Sequence, residues 1–155
     1  MHHRRTPLFG SCWGHQFIAR TLGGEVISDR EREEVGSFEV QLSPAGAIDP
    51  VLIGFPSAFM AHMGHHDRVS ILPPGGLELA YSQRCPMQIY RLKDKPIYGT
   101  QFHAEMSAEH LIERLSYYRD SYLPSDEEFD TLRSNPLPTP ESDSILHRFM
   151  DAYLS

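Results

Sequence analysis

Cysteine is scarce in this 155-residue sequence, which holds only Cys12 and Cys85. Two cysteines cannot build the disulfide framework of a small secreted domain. They fit a reducing cytosol, where a thiol is either inert or chemical. Basic charge is also short: 14 Lys and Arg stand against 21 Asp and Glu, a formal net charge of −7. The arginines of "DREREE" (29–34) are matched by acids and Arg4-Arg5 stands alone, so no basic patch offers itself to nucleic acid or an anionic membrane. No apolar run reaches the roughly 20 residues that span a bilayer. The opening "MHHRRTPLF" has no apolar signal-peptide core. Internal repeats are missing too. The balance, 40% hydrophobic and 23% charged residues, is that of a globular domain with a real core. These readings together predict a cytoplasmic protein without nucleic-acid or membrane partners.

Hydrophobic spacing predicts the elements. "TPLFG" (6–10) reads as a short buried strand. "GHQFIARTLGG" (14–24) reads as a helix with Phe17, Ile18 and Leu22 on its apolar stripe, closed by Gly23-Gly24. "EVISD" (25–29), "VGSFEVQLS" (35–43) and "SAFMAHM" (57–63) read as strands, and "DREREEVG" (29–36) as a solvated turn between the first two. "DPVLIGF" (49–55) suggests a helical turn. Three further strands are expected over 77–82, 87–92 and 96–103. Ser107 caps a helix that runs to about Tyr118. Residues 123–143, rich in Pro, Ser and acid, read as a linker with one helical turn near Phe129–Leu132. Residues 144–154 close the chain as an amphipathic helix. The division expected is a domain over 1–121, then linker and C-terminal helix over 122–155.

The stretch "GSCWGHQ" (10–16) sits between the first strand and the first helix. A G-x-nucleophile-x-G sequence in that setting is the pattern of a nucleophile elbow. Its turn is so tight that side chains larger than glycine are expected to clash. The elbow places Cys12 at a helix N-terminus, where the partial positive charge favours an anionic sulfur. The Trp13 N–H then points to where an oxyanion would form. The bland alternative is a buried cysteine in a strand-to-helix turn. A sulfur nucleophile needs a base, and the base an orienting acid. "QFHAE" (101–105) offers His103 and Glu105 on one side of an extended segment, at the carboxyl end of a strand, where open α/β sheets place their ligands.

The residues "PLFGSCWGHQFIARTLGGEV" (7–26), "HHDRVSILPPGGLELAYSQRCPMQIYRL" (65–92) and "YGTQFHAE" (98–105) together resemble the class I, or triad, glutamine amidotransferases of the guanosine-monophosphate-synthase-like group. The resemblance runs over residues 6–119. It implies a flavodoxin-like α/β domain that hydrolyses the side-chain amide of glutamine through a cysteine thioester and releases ammonia, with no cofactor and no metal. By the match Cys12 is the nucleophile, His103 the base and Glu105 its partner. Trp13, Gln16, Gly64 and His65 fall on the substrate side: Trp13 by its N–H, Gln16 by helping to seat glutamine, and Gly64 and His65 in the loop whose backbone holds the amino-acid end. The implied partners are glutamine and a separate synthetase or ammonia-acceptor subunit. The same triad on a γ-glutamyl amide would give a γ-glutamyl peptidase or hydrolase, and a remnant that only associates is the third reading.

Departures from the family pattern are specific. Ala104 stands where proline is usual, His66 where glycine or glutamine is, and Trp13 where leucine or phenylalanine is. The resemblance also implies further strand–helix units ahead of the elbow strand, somewhat under ~100 residues, including a glycine-rich loop with a second oxyanion donor. Met1 then reads as an internal methionine. Poor solubility and little activity are expected of the 155 residues alone. "HMGHH" (62–66) raises a metal reading, which the absence of further ligands at zinc spacing disfavours. Cys85 reads as structural.

Overall fold

The structure, a computed structural model, describes residues 5–117, 125–134 and 137–155. In chain order its elements are β1 (Leu8–Ser11), α1 (Trp13–Thr21), β2 (Glu25–Ser28), β3 (Glu34–Leu42), α2 (Pro44–Ala47), β4 (Ala58–His65), β5 (Asp67–Ile71), β6 (Gly76–Ser82), β7 (Ile89–Leu92), β8 (Ile97–Thr100), α3 (Ala108–Tyr117), α4 (Asp126–Ser134) and α5 (Pro140–Tyr153). A single 3-10 turn covers Arg30–Arg32. Among the described residues one sheet runs in the order β1-β8-β7-β6-β3-β4, and β2 and β5 form a separate antiparallel pair. Among the described residues only the β1–β8 pairing is parallel, in the register Leu8↔Ile97 to Ser11↔Thr100. This brings the end of β1, with the elbow, beside the end of β8, with the "QFHAE" segment.

Alternation along the strands gives the sheet two apolar faces. Ile89 and Tyr98 join a large core with Val40, Phe59, Met63, Leu79 and Phe102, closed by Ile145 and Phe149 of α5. Tyr90 and Leu92 point the other way and pack with Ile18 and Ala19 of α1 and Val69 of β5. α1 lies hard against its sheet face. A Cβ on Gly10 would stand 2.6 Å from the Gly14 carbonyl carbon, and one on Gly99 would stand 2.7 Å from His15 Nδ1.

The expected strands appear with modest shifts of boundary. β5 is an addition: Asp67–Ile71 alternates weakly, and its pairing with β2 comes from a partner some forty residues away in sequence. The stretch 49–55 forms hydrogen-bonded turns, with the Asp49 carboxylate accepting from the Val51 N–H at 2.9 Å. In the tail, much of the stretch read as linker is helical. α4 spans Asp126–Ser134, and α5 begins at Pro140. Proline is favoured in the first helical turn, where its missing N–H leaves no bond unmade. The Tyr118 end of the earlier helix and residues 123–124 and 135–136 lie outside the described residues. No described helix is long and apolar enough to cross a membrane.

Candidate active site

Cys12 occupies the N-cap of α1 with φ 50° and ψ −103°. A left-handed φ at a non-glycine residue costs on the order of 1–3 kcal/mol and persists only where the surroundings enforce it. Two bonds enforce it here. The Cys12 N–H donates to the Thr100 carbonyl at 2.7 Å, and the Cys12 carbonyl accepts from the Gln16 N–H at 3.1 Å. The side chain is thereby turned out of the sheet at the head of the helix. Trp13 supplies the first N–H of α1, a group the helix itself leaves unused.

The structure brings His103 and Glu105 together. His103 Nδ1 lies 2.6 Å from Glu105 Oε1. The His103 N–H donates to the His62 carbonyl at 3.1 Å, which fixes the segment after β8 against β4. Burial by itself would lower the His103 pKa. Its interactions with Cys12 and Glu105 more than offset this and raise it to about 9. Burial likewise opposes ionisation of Glu105. The hydrogen bond from His103, with help from Ser11, outweighs it and holds the carboxyl below its ordinary value. The ring is therefore an imidazolium near neutral pH, its Nδ1–H committed to the carboxylate. Cys85 stands in contrast: burial and the nearby Glu34 push its thiol up to about 12.

The substrate-side residues are placed unequally. Gln16 is buried, and its Nε2 donates to the Asp67 carbonyl at 2.9 Å and to Gln101 Oε1 at 3.2 Å. Gly64 lies in β4 opposite Val35, and a Cβ there would meet nothing within 4 Å. His65 turns its ring inward: Nδ1 lies 3.0 Å from the Asp67 carbonyl and Nε2 3.1 Å from Glu34 Oε1. Only its backbone is left for a ligand. The three histidines of "HMGHH" diverge, for His62 pairs with Ser37 and His66 with Glu33. His15, wholly buried against Tyr90, has its pKa lowered by burial to about 3 and stays neutral.

Two residues near the site carried no clear mark in the sequence. Gln101 Nε2 lies 3.8 Å from Cys12 Sγ. Glu34, read as part of a solvated turn, is fully buried. The signal for Glu34 was its place at the start of an alternating strand, where position rather than residue type decides burial. Gln101 stands two residues before His103, the same spacing that marked Glu105, and this was its one local signal.

A strained cysteine at a strand–helix elbow, facing a histidine–carboxylate pair in the segment that follows the neighbouring parallel strand, defines an α/β protein with a cysteine–histidine–glutamate constellation. The chain belongs to the class-I glutamine amidotransferase family, whose model matches residues 1–116. It is 39% identical over 101 residues to a subunit of glutamine-hydrolyzing GMP synthase from Methanococcus maripaludis, covering 65% of this chain and 51% of that one. Its identity to the corresponding GMP synthase subunit of Pyrococcus abyssi is 36% over 101 residues, covering 65% and 52%. The chain thus spans about half the length of these curated relatives. In fold it is similar to a glutamine amidotransferase from Thermotoga maritima, with TM-score 0.72 and 21% identity over 98% of this chain and 64% of that one. A second glutamine amidotransferase, from Methylobacillus flagellatus, gives TM-score 0.73 and 24% identity over 97% and 64%. The fold is that of the α/β class I amidotransferases.

Proposed function

We propose that the chain carries the glutaminase half-reaction, with Cys12 as nucleophile, His103 as the proton carrier and Glu105 as its orienter. The observation that carries this is the His103–Glu105 contact of 2.6 Å facing the strained elbow. In this reaction the Cys12 proton passes to His103 ahead of attack. The sulfur attacks the carbon of the glutamine side-chain amide, the C–S bond forms, and the oxyanion meets the Trp13 N–H. As the C–N bond breaks, His103 gives its proton to the nitrogen, which leaves as ammonia. Water then attacks the thioester while His103 takes its proton, and glutamate is released. Glu105 keeps the ring in one orientation throughout by holding Nδ1–H.

Gly64 and His65 fit the substrate's amino-acid end through backbone groups at the close of β4. Gln16 acts from behind, since its amide is already bonded to the Asp67 carbonyl and Gln101. The Methanococcus and Pyrococcus relatives are each named as one subunit of a GMP synthase, which supports a separate synthetase chain as the acceptor of ammonia. In a protein that includes the further N-terminal units the family resemblance implies, ammonia and glutamate should appear from glutamine and vanish in Cys12→Ala. A glutamine-analogue alkylator should label Cys12 and spare Cys85. Labelling at Cys85, or turnover that survives the substitution, defeats the assignment; preference for a γ-glutamyl peptide over glutamine moves the reading to the hydrolase alternative.

A further inference from the structure

A continuous, partly buried hydrogen-bond chain runs from Cys12 through Gln101, Gln16 and the Asp67 carbonyl to His65 and Glu34. Gln101, 1% exposed, has both ends of its amide engaged. Its Oε1 accepts from Gln16 Nε2 at 3.2 Å, and its Nε2 donates to Cys12 Sγ at 3.8 Å, a length suited to the larger sulfur atom. Flipping the amide would set an oxygen against the sulfur and two donors against each other. Gln16 cannot relax to permit this, because the same Nε2 donates to the Asp67 carbonyl at 2.9 Å.

That carbonyl is itself held. His65 Nδ1 lies 3.0 Å from it, and His65 Nε2 lies 3.1 Å from Glu34 Oε1. Both ring nitrogens thus face oxygen atoms that hold the ring in place. Glu34 is held on further sides: besides its contact with His65 it accepts from Gln88 Nε2 at 2.6 Å and from Ser82 Oγ at 2.7 Å. The loop closes where the Gln101 N–H donates to the Gln88 carbonyl at 2.8 Å. Cys85 lies close enough that its sulfur, the Glu34 carboxylate and the His65 ring form a metal-type donor set within 4.8 Å of one another. The carboxylate and the ring already spend their donors and acceptors inside the chain.

We propose that Gln101 is a further member of the nucleophile's site, donating its side-chain N–H to the Cys12 sulfur anion, and that Glu34 is a positioning residue that fixes this donor through His65, Asp67 and Gln16. This rests on the reading of Cys12 as nucleophile. Gln101→Met keeps the length of the side chain and removes the donor. A hydrogen bond to a charged group is worth about 1.5–3 kcal/mol, roughly a tenfold or greater effect.

The experiment is iodoacetamide alkylation of Cys12, followed across pH by peptide mass spectrometry in the full chain, with a thermal melt of each variant. Gln101→Met should alkylate about tenfold more slowly near neutral pH, with the rate recovered at higher pH, and should lower kcat for glutamine with KM little changed. Gln101→Glu, which sets an anion against the sulfur, should be slower still and serves if the methionine variant does not fold. Glu34→Gln should slow alkylation in the same direction by a smaller factor. A rate profile for folded Gln101→Met or Gln101→Glu that superposes on wild type overturns the donor. An unchanged Glu34→Gln profile, with the Gln101 variants slowed, overturns the anchor. Wild-type modification at Cys85 rather than Cys12 would instead defeat the nucleophile assignment itself.

Discussion

His103 lies between two partners, the Glu105 carboxylate at Nδ1 and the Cys12 sulfur beyond. Its folded-state pKa is raised to about 9 from an ordinary 6.5, so the ring is protonated near neutral pH. The sign follows. A raised histidine pKa contributes stability that is complete below about 6.5 and is lost as pH climbs through about 9. Glu105, held low, contributes above its ordinary carboxylate range and loses that contribution as pH falls through its depressed value. Catalysis should share the alkaline limit, since a neutral His103 has no proton for the departing nitrogen. We therefore expect the imidazole C–H of His103 to titrate near pH 9 by NMR, and turnover to decline over the same range. In Cys12→Ala the midpoint should move down toward the ordinary histidine value. A wild-type midpoint near 6.5, unmoved by Cys12→Ala, would show that the sulfur and the ring do not communicate.

At the scale of elements the elbow depends on how closely α1 approaches β1. The two glycines flanking Cys12 looked equivalent in the sequence, both set by a tight turn. They are not. A Cβ on Gly10 would meet the Gly14 carbonyl carbon at 2.6 Å and its oxygen at 2.7 Å, backbone that cannot yield without moving the helix start. A Cβ on Gly14 would meet nothing within 4 Å. Gly10→Ala should therefore displace the elbow, costing about 1–3 kcal/mol by overpacking and most of the turnover. Gly14→Ala should be tolerated and add about 0.5–1 kcal/mol of helix stability. Denaturation midpoints and kcat for the pair decide it, and equal damage from both would show that the turn, not the packing, sets the requirement. The same contrast explains what the sequence could disclose. Cys12, His103 and Glu105 were legible because an elbow and an i, i+2 pair are local patterns. Gln101, Glu34 and β5 were not, because their roles depend on partners dozens of residues away. The last helix was legible over 144–154, but its start at Pro140 and the full length of α4 were hidden by acid and proline, which mark solvated chain and helix N-termini equally well.

For the whole molecule the informative element is the last one. Residues 122–155 read as an appendage of linker and helix, yet α5 closes the larger of the two cores. Phe149 is 3% exposed and sits 5.3 Å from Phe9 of β1 and 5.5 Å from Tyr98 of β8, ring centre to ring centre. Tyr153 hydrogen-bonds Tyr98 through the hydroxyls at 3.0 Å, and Arg148 donates to the carbonyls of Val51 and Ile53 at 3.0 and 2.8 Å. The strands gripped in this way are the two that carry Cys12 and lead to His103. We expect α5 to be part of the folding unit, with its loss felt at the site some distance away. Phe149→Ala should lower stability by about 3–5 kcal/mol through the cavity it leaves. Exposed Met150→Ala on the same helix should change it by no more than about 0.5 kcal/mol. Urea denaturation of the two variants, followed by tryptophan fluorescence at Trp13, measures both stability and the state of the elbow. Phe149→Ala and Met150→Ala with the same midpoint would mean that α5 is an attachment to the domain and not one of its walls.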